Sequence, residues 1–142
     1  MLNEKALFEA TKAIYEAELK HKSADTWESL DKDEQSEYID MTSACVRGFL
    51  TSSNLAKCVI AQYEGRQFVH FNELALEDGA KKLHHVFLSW CNCVNPIEWD
   101  DEKEETKAHF IKHAKVIIDK YTSSQELSKE AISQYLKGAG HE

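Results

Sequence analysis

The chain has 142 residues, of which 25 are acidic and 17 basic, so its net charge is -8 and its isoelectric point is near 5.4. This balance argues against direct binding to nucleic acid or to an anionic membrane, because both rely on clustered Lys and Arg. The 42% hydrophobic and 30% charged residues are typical of a soluble globular protein. The length predicts a single domain over residues 1–142.

The cysteines and the apolar runs indicate a cellular compartment. Cys45 and Cys58 lie within apolar runs, where cysteine behaves as a small buried hydrophobe. The first 20 residues are amphipathic and lack the basic tip and apolar block of a secretory leader. No apolar run approaches the roughly 20 residues that a membrane-spanning helix needs. We therefore expect a cytoplasmic protein with free thiols.

The first 51 residues predict two antiparallel helices. Apolar side chains recur at helical spacing over residues 3–20, and Asn3 is a candidate N-cap. Asp31 and Glu34 form a capping-box-like start for the second helix. Trp27 and Leu30 are predicted to anchor the connection. The predicted inner faces are Ala6, Leu7, Ala10, Ala13, Ile14 and Ala17 in the first helix, and Tyr38, Met41, Thr42, Cys45 and Phe49 in the second.

Residues 52–71 are compatible with two structures. A serine can cap a helix that runs to about Tyr63 and is followed by an extended "RQFVHF" segment. Alternatively, "KCVIAQYEGRQFVHF" has the β-branched and aromatic residues of a β-hairpin, with "EG" at its turn. Short apolar runs do not separate these structures. The predicted fold is mainly α, a single bundle of about five helices with room for a short hairpin or extended segment near 57–71.

The second half of the chain predicts three further helical features. A helix over 72–90 begins at Asn72, and its small residues Gly79 and Ala80 allow a neighbouring helix to approach closely. Asp101 and Glu104 form a second capping-box pair, for a helix over 102–121. A last helix is capped by Ser123 or Ser124. The predicted inner faces are Leu76, Leu83, Phe87 and Trp90; then Phe110, Ile111, Ala114, Ile117, Ile118 and Tyr121; then Leu127, Ala131, Ile132, Tyr135 and Leu136.

Two cysteines and two histidines form a candidate zinc site. Cys91 and Cys93 end one predicted helix, and His109 and His113 are one turn apart on the next. Thiolate and imidazole are the ligands of tetrahedral structural zinc, although this spacing differs from that of the usual zinc finger. The alternative is that the histidines border the core face and Cys91 is a buried hydrophobe. A thiol enzyme that pairs Cys91 with His84 or His85 is a further alternative.

The acidic runs "DKDEQSE" and "EWDDEKEE" lie at predicted helix N-termini. The helix dipole favours negative charge there, which gives these runs a structural explanation. The functional alternative is an acidic surface that docks on a basic protein surface. The candidate partner-binding residues of that surface are Glu98, Trp99, Asp100, Asp101, Glu102 and Glu105.

A pattern of packing positions extends over residues 10–83 and is formed by three stretches, "ATKAIYEAE", "TWESLDKDEQSEYIDMTSACVRGFL" and "NELALEDGAKKL". In this pattern the chain resembles small helical accessory proteins of phages and prophages that have no assigned activity. The resemblance implies a host-interaction protein. We therefore expect a non-enzymatic binding module, an inhibitor or adaptor without a cofactor, whose partner is a host or cognate protein. A homodimer through an exposed helix face is a further expectation.

Overall fold

In a computed structural model the chain is built from helices, and the structure describes residues 2–19, 26–65, 69–91 and 96–139. These ranges contain no β-strand, so the mainly α prediction is confirmed. A π-helical turn over Tyr15–Leu19 extends the first helix, and 3₁₀ turns at Trp27–Ser29 and Trp99–Asp101 precede two others. The α-helices are α1 (Glu4–Ile14), α2 (Lys32–Leu50), α3 (Ser53–Tyr63), α4 (Val69–Cys91), α5 (Glu104–Thr122) and α6 (Gln125–Ala139).

Side-chain caps begin four of these helices, as the sequence predicts. Asn3 Oδ1 accepts a hydrogen bond from the Ala6 amide at 2.8 Å. Asp31 Oδ1 accepts one from the Glu34 amide, also at 2.8 Å. Ser52 and Ser124 accept in the same way from amides two residues ahead, at 3.1 and 3.2 Å. Each cap satisfies a helix-end donor that would otherwise lack a partner.

Two predicted helix starts are wrong. Asp101 does not cap α5, because it ends a 3₁₀ turn; the N-cap position belongs to Lys103, whose side chain makes no capping bond. Asn72 does not begin α4, which starts three residues earlier at Val69. Local capping patterns are weak where packing continues a helix past a good cap residue.

The hairpin alternative is wrong for the described part of residues 57–71. Residues Ser53–Tyr63 are helical, with Cys58 and Ala61 buried one turn apart. The β-branched Val59 and Ile60 face solvent. The helix ends in a turn where Gly65 has φ of +75°, a conformation that glycine adopts readily. Residues 66–68 lie outside the described part, and 69–71 are helical instead of extended.

The core is one contiguous cluster of buried side chains from α1, α2, α4 and α5, joined by Trp99. Helices α2 and α4 approach each other closely where Gly48 of one helix meets Gly79 of the other. A Cβ on Gly79 would lie 3.1 Å from the Cys45 carbonyl oxygen, and one on Gly48 would lie 3.0 Å from the Asp78 carbonyl oxygen. The predicted role of Gly79 in close approach is confirmed, and the crossing fixes where α4 lies.

The predicted inner faces are buried in part. Trp27 is buried as expected, whereas Ala17 and Trp90 are exposed. The predicted inner face of α6 is wrong for three of its residues, because Ile132, Tyr135 and Leu136 are 60%, 75% and 61% exposed. Leu127 packs against the core as predicted, and the side chain of Ala131 lies outside the described part of the structure. Among the described residues, no helix combines the length and apolar character needed to cross a bilayer.

Candidate functional site

The segment between α4 and α5 is held to the body of the protein by Trp99. Its side chain is only 6% exposed. The indole Nε1 donates a hydrogen bond to Glu77 Oε1 at 3.2 Å. The ring packs edge-on against His84 and Phe110, with centroid separations of 5.5 and 6.4 Å. Trp99, one of the candidate partner-binding residues, therefore belongs to the core and offers a docking protein little surface.

Glu102 is a second anchor of the same segment. Its side chain is 12% exposed, and its Oε1 lies 3.8 Å from Nε2 of His84, whose side chain is 5% exposed. The imidazole of His84 packs edge-on against both Trp99 and Phe110, so Trp99 and Glu102 both contact this histidine. Glu102 therefore offers a docking protein little surface, unlike its acidic neighbours.

The remaining predicted partner-binding residues are exposed. Glu98, Asp100, Asp101 and Glu105 alternate with the two anchors along the segment. The side chain of Glu104, which the sequence analysis left out of this set, is 92% exposed. Because Trp99 and Glu102 fix the backbone, these five carboxylates present negative charge from a defined position. We call this set the acidic rim.

A cleft of about 1030 Å³ lies beside the acidic rim. One wall is α4, another is the junction of α2 and α3, and the third is the segment that carries Glu98 and Trp99. The α4 wall contributes the positively charged side chains of Lys81 and Lys82 to the cleft of an acidic protein. The polar residues that line the cleft are Thr51, Ser52, Ser53, Asp78, Lys81, Lys82, His84, His85, Ser89 and Glu98.

A hydrogen-bond network centred on Asp78 fixes two walls of the cleft to each other. Ser52 Oγ donates to Asp78 Oδ2 at 2.5 Å, and Asn54 Nδ2 donates to the same oxygen at 3.2 Å. Lys81 Nζ lies 3.8 Å from Asp78 Oδ1. The network joins the start of α3 to the middle of α4, while the side chains of Lys82 and His85 are exposed. No local pattern in the sequence indicates this cleft, because its walls come from segments far apart in the chain.

The structure brings together half of the predicted zinc ligands. The rings of His109 and His113 have centroids 4.2 Å apart. Cys93 and the side chain of Cys91 lie outside the described residues. Within the described ranges, no three His, Cys, Asp or Glu side chains form a group that could hold a metal ion. The four-ligand zinc site therefore stays a prediction, as does the Cys91 thiol enzyme.

His113 has an unusual environment for a histidine. It is 4% exposed, and neither ring nitrogen has a hydrogen-bond partner among the residues that the structure describes. Oε2 of Glu18 lies 3.7 Å from Nε2 of His113, and Oε1 of the same carboxylate lies 3.3 Å from Lys112 Nζ. Burial, with a further contribution from His109, lowers the pKa of His113 from its usual 6.5. Glu18 lies in the π-helical turn, and no spacing rule in the sequence pairs it with this histidine.

No protein-family model, curated protein or solved structure matches this chain.

Proposed function

We propose that this protein is a non-enzymatic binding module that docks the basic surface of another protein on its acidic rim. One observation carries the proposal. Within residues 98–105, the buried Trp99 and the largely buried Glu102 alternate with five exposed carboxylates. Charges held on a fixed backbone lose little conformational entropy when a partner binds. Complementary charge also speeds association and orients the partner.

The cleft adds a second element to this docking surface. Lys82 and His85 line it, and Glu98 belongs both to the cleft and to the acidic rim. A partner that covers both regions would place Lys or Arg opposite Asp100, Asp101 and Glu105. It would place an acidic or neutral polar group opposite Lys82. Such a mixed pattern selects one partner orientation, because a reversed orientation brings like charges together.

The proposal also includes a class of partner and a cellular compartment. The resemblance to phage and prophage accessory proteins suggests a host protein as the target and an inhibitor or adaptor role. A cytoplasmic location is supported by Cys45 and Cys58, which are buried and free of disulfides. Neither thiol is needed for docking on the rim.

The test is affinity capture from a host lysate with mass spectrometry, followed by binding measurements on the captured protein. The variant Asp100→Lys/Asp101→Lys/Glu105→Lys should lose the partner, and raised salt should weaken wild-type binding. Asp33→Lys/Glu37→Lys/Asp40→Lys is the matched control, because it makes the same charge change at exposed positions of α2. Its binding should persist. Equal binding by both variants and the wild type, at low and high salt, contradicts the proposal.

A structural zinc site is the second candidate function. The buried ring nitrogens of His113 favour it, because they make no hydrogen bond within the described part of the chain. A zinc ion bound by Cys91, Cys93, His109 and His113 would supply the partner that a buried imidazole nitrogen lacks. Elemental analysis of protein purified without a histidine tag should then give about one zinc per chain. Chelation should lower the melting temperature of the wild type and leave that of His113→Leu unchanged. Metal-free protein that chelator does not destabilise excludes this function.

A further inference from the structure

The cleft beside the acidic rim has the size of a small-molecule site. Its volume of about 1030 Å³ is comparable with that of large ligand pockets, which reach roughly 1,000 Å³. The α4 side chains at its centre recur every three or four residues and so share one face of the helix: Asp78, Lys81, His85, Leu88 and Ser89. Lys82 and His84 lie on opposite sides of that face, roughly 160° apart around the helix axis. The two sides of the cleft therefore offer different groups to a ligand.

The Lys82 side of the cleft is positively charged. The stem of Lys82 lies over Gly48, because a Cβ at Gly48 would be 2.6 Å from Lys82 Cγ. Neither Lys82 nor His85 forms an ion pair or a hydrogen bond within the described part of the chain. Lys81 is different, since its Nζ lies 3.8 Å from Asp78 Oδ1. Lys82 is thus a positioned ammonium group with no counterion among the described residues, and such a group binds oxyanions.

The start of α3 adds backbone donors on the same side. Ser52 caps this helix of 11 residues, Ser53 is its first residue, and both line the cleft. The Ser53 amide makes no hydrogen bond to any residue that the structure describes. A helix N-terminus carries partial positive charge, and its free amides bind phosphate groups. The carboxylate of Asp78 opposes this little, because it already accepts hydrogen bonds from Ser52 and Asn54.

The His84 side of the cleft offers hydrogen-bonding groups beside apolar surface. His84 is 4% exposed yet lines the cleft, and its imidazole makes no hydrogen bond to another described residue. Glu102 Oε1, 3.8 Å from its Nε2, is beyond hydrogen-bond distance. A buried imidazole normally has a hydrogen-bond partner, so this one is available to a ligand. Glu98 adds a carboxylate acceptor, and Pro96 and Trp99 add apolar surface.

We propose that the cleft binds a small phosphorylated sugar, with its phosphate group between Lys82 and the start of α3 and its sugar ring on the His84 side. Phosphate has enough oxygens to accept hydrogen bonds from an ammonium group and from backbone amides at once. Sugar hydroxyl groups both donate and accept, which suits the Glu98 carboxylate and the His84 imidazole. The site does not depend on docking at the acidic rim. A partner group placed opposite Lys82 would compete with the phosphate.

The test is a titration of the full chain followed by ¹H–¹⁵N NMR, with ribose 5-phosphate and glucose 6-phosphate at up to about 10 mM, a range that detects millimolar binding. At least one of them should shift the amide signals of Ser53, Lys82 and His85, and the free sugars should not. Lys82→Met keeps the stem over Gly48 and removes the charge, so it should weaken binding about tenfold. Lys115→Met is the matched control, because Lys115 is exposed on α5 and does not line the cleft. It should bind like the wild type.

A second comparison tests the sugar side. His84→Phe keeps an aromatic ring beside Trp99 and Phe110 but removes the hydrogen bonds. It should weaken sugar-phosphate binding about threefold and leave the binding of inorganic phosphate unchanged. Inorganic phosphate that binds as tightly as both sugar phosphates overturns the sugar assignment. No amide shift with either sugar phosphate at about 10 mM, or equal binding by Lys82→Met and Lys115→Met, overturns the site.

Discussion

The crossing of α2 and α4 gives the sharpest prediction about stability, the replacement of Gly48 by alanine. A Cβ at Gly48 would lie 2.6 Å from Lys82 Cγ, 3.0 Å from the Asp78 carbonyl oxygen and 3.3 Å from Gly79 Cα. The Lys82 side chain can rotate away. The other two atoms are backbone, so only a separation of the two helices relieves those contacts.

Two opposing effects set the magnitude. Alanine in place of glycine inside a helix gains about 1 kcal/mol from its intrinsic helix preference. Overpacking of a close contact costs about 1–3 kcal/mol. We expect Gly48→Ala to lower the free energy of unfolding by about 1 kcal/mol, because two of the three contacts involve backbone atoms. Gly79→Ala should change it less, since its nearest neighbour, the Cys45 carbonyl oxygen, would be 3.1 Å away.

Urea unfolding followed by circular dichroism measures this difference. A loss of 1 kcal/mol moves the midpoint by about 0.5 M, well above the precision of a midpoint comparison. Gly48→Ala combined with Lys82→Ala separates the two kinds of contact, because it removes the side-chain neighbour and keeps the backbone neighbours. We expect this double change to recover only part of the loss that Gly48→Ala causes. A Gly48→Ala protein as stable as the wild type refutes the inference that glycine is required at this crossing.

Three further predictions concern single side chains. Burial and His109 lower the pKa of His113, so the unfolded chain binds a proton at this side chain more readily than the folded chain does. The contribution of His113 to the free energy of unfolding is therefore full above about pH 6.5 and decreases as the pH drops below that value. Thermal melts over this pH range should show a smaller decrease in stability for His113→Leu than for the wild type. Burial raises the pKa of Cys45 to about 12, so a neutral-pH alkylator should leave Cys45 unmodified in the folded protein and label it in urea, as peptide mapping would show. Asp31→Ala removes a cap and should cost about 1 kcal/mol in chemical unfolding, whereas Asp101→Ala, which removes none, should cost less than about 0.5 kcal/mol.

The features that the sequence predicts correctly are local ones. The caps at Asn3, Asp31 and Ser52 depend on one side chain and an amide two or three residues ahead, so a short stretch contains all the necessary information. The close approach at Gly79 was also predictable, because a small residue beside an apolar stripe permits it in any helical bundle. The partner glycine on α2 was not, since the register between two helices depends on the whole core.

The predictions that are wrong concern the direction in which a helix face or a side chain points. The spacing of Ile132, Tyr135 and Leu136 shows that α6 has an apolar face but does not show which way that face points. The hydrogen bond from Asn3 to Glu130 and the packing of Leu127 turn that face outward. In the same way, the sequence places Trp99 and Glu102 within an acidic run but gives no sign that both side chains point to His84.

The two acidic runs have different structural explanations, and this difference bears on function. In the first run, Asp31 caps α2 and Asp33 and Glu34 lie in its first turn, where the helix dipole favours them. In the second run, only Glu104 and Glu105 lie in the first turn of α5. Glu98, Asp100 and Asp101 precede that helix and cap nothing, so helix formation does not account for their charge. A basic protein surface docked on the acidic rim would neutralise these charges, which is the role that we propose for them.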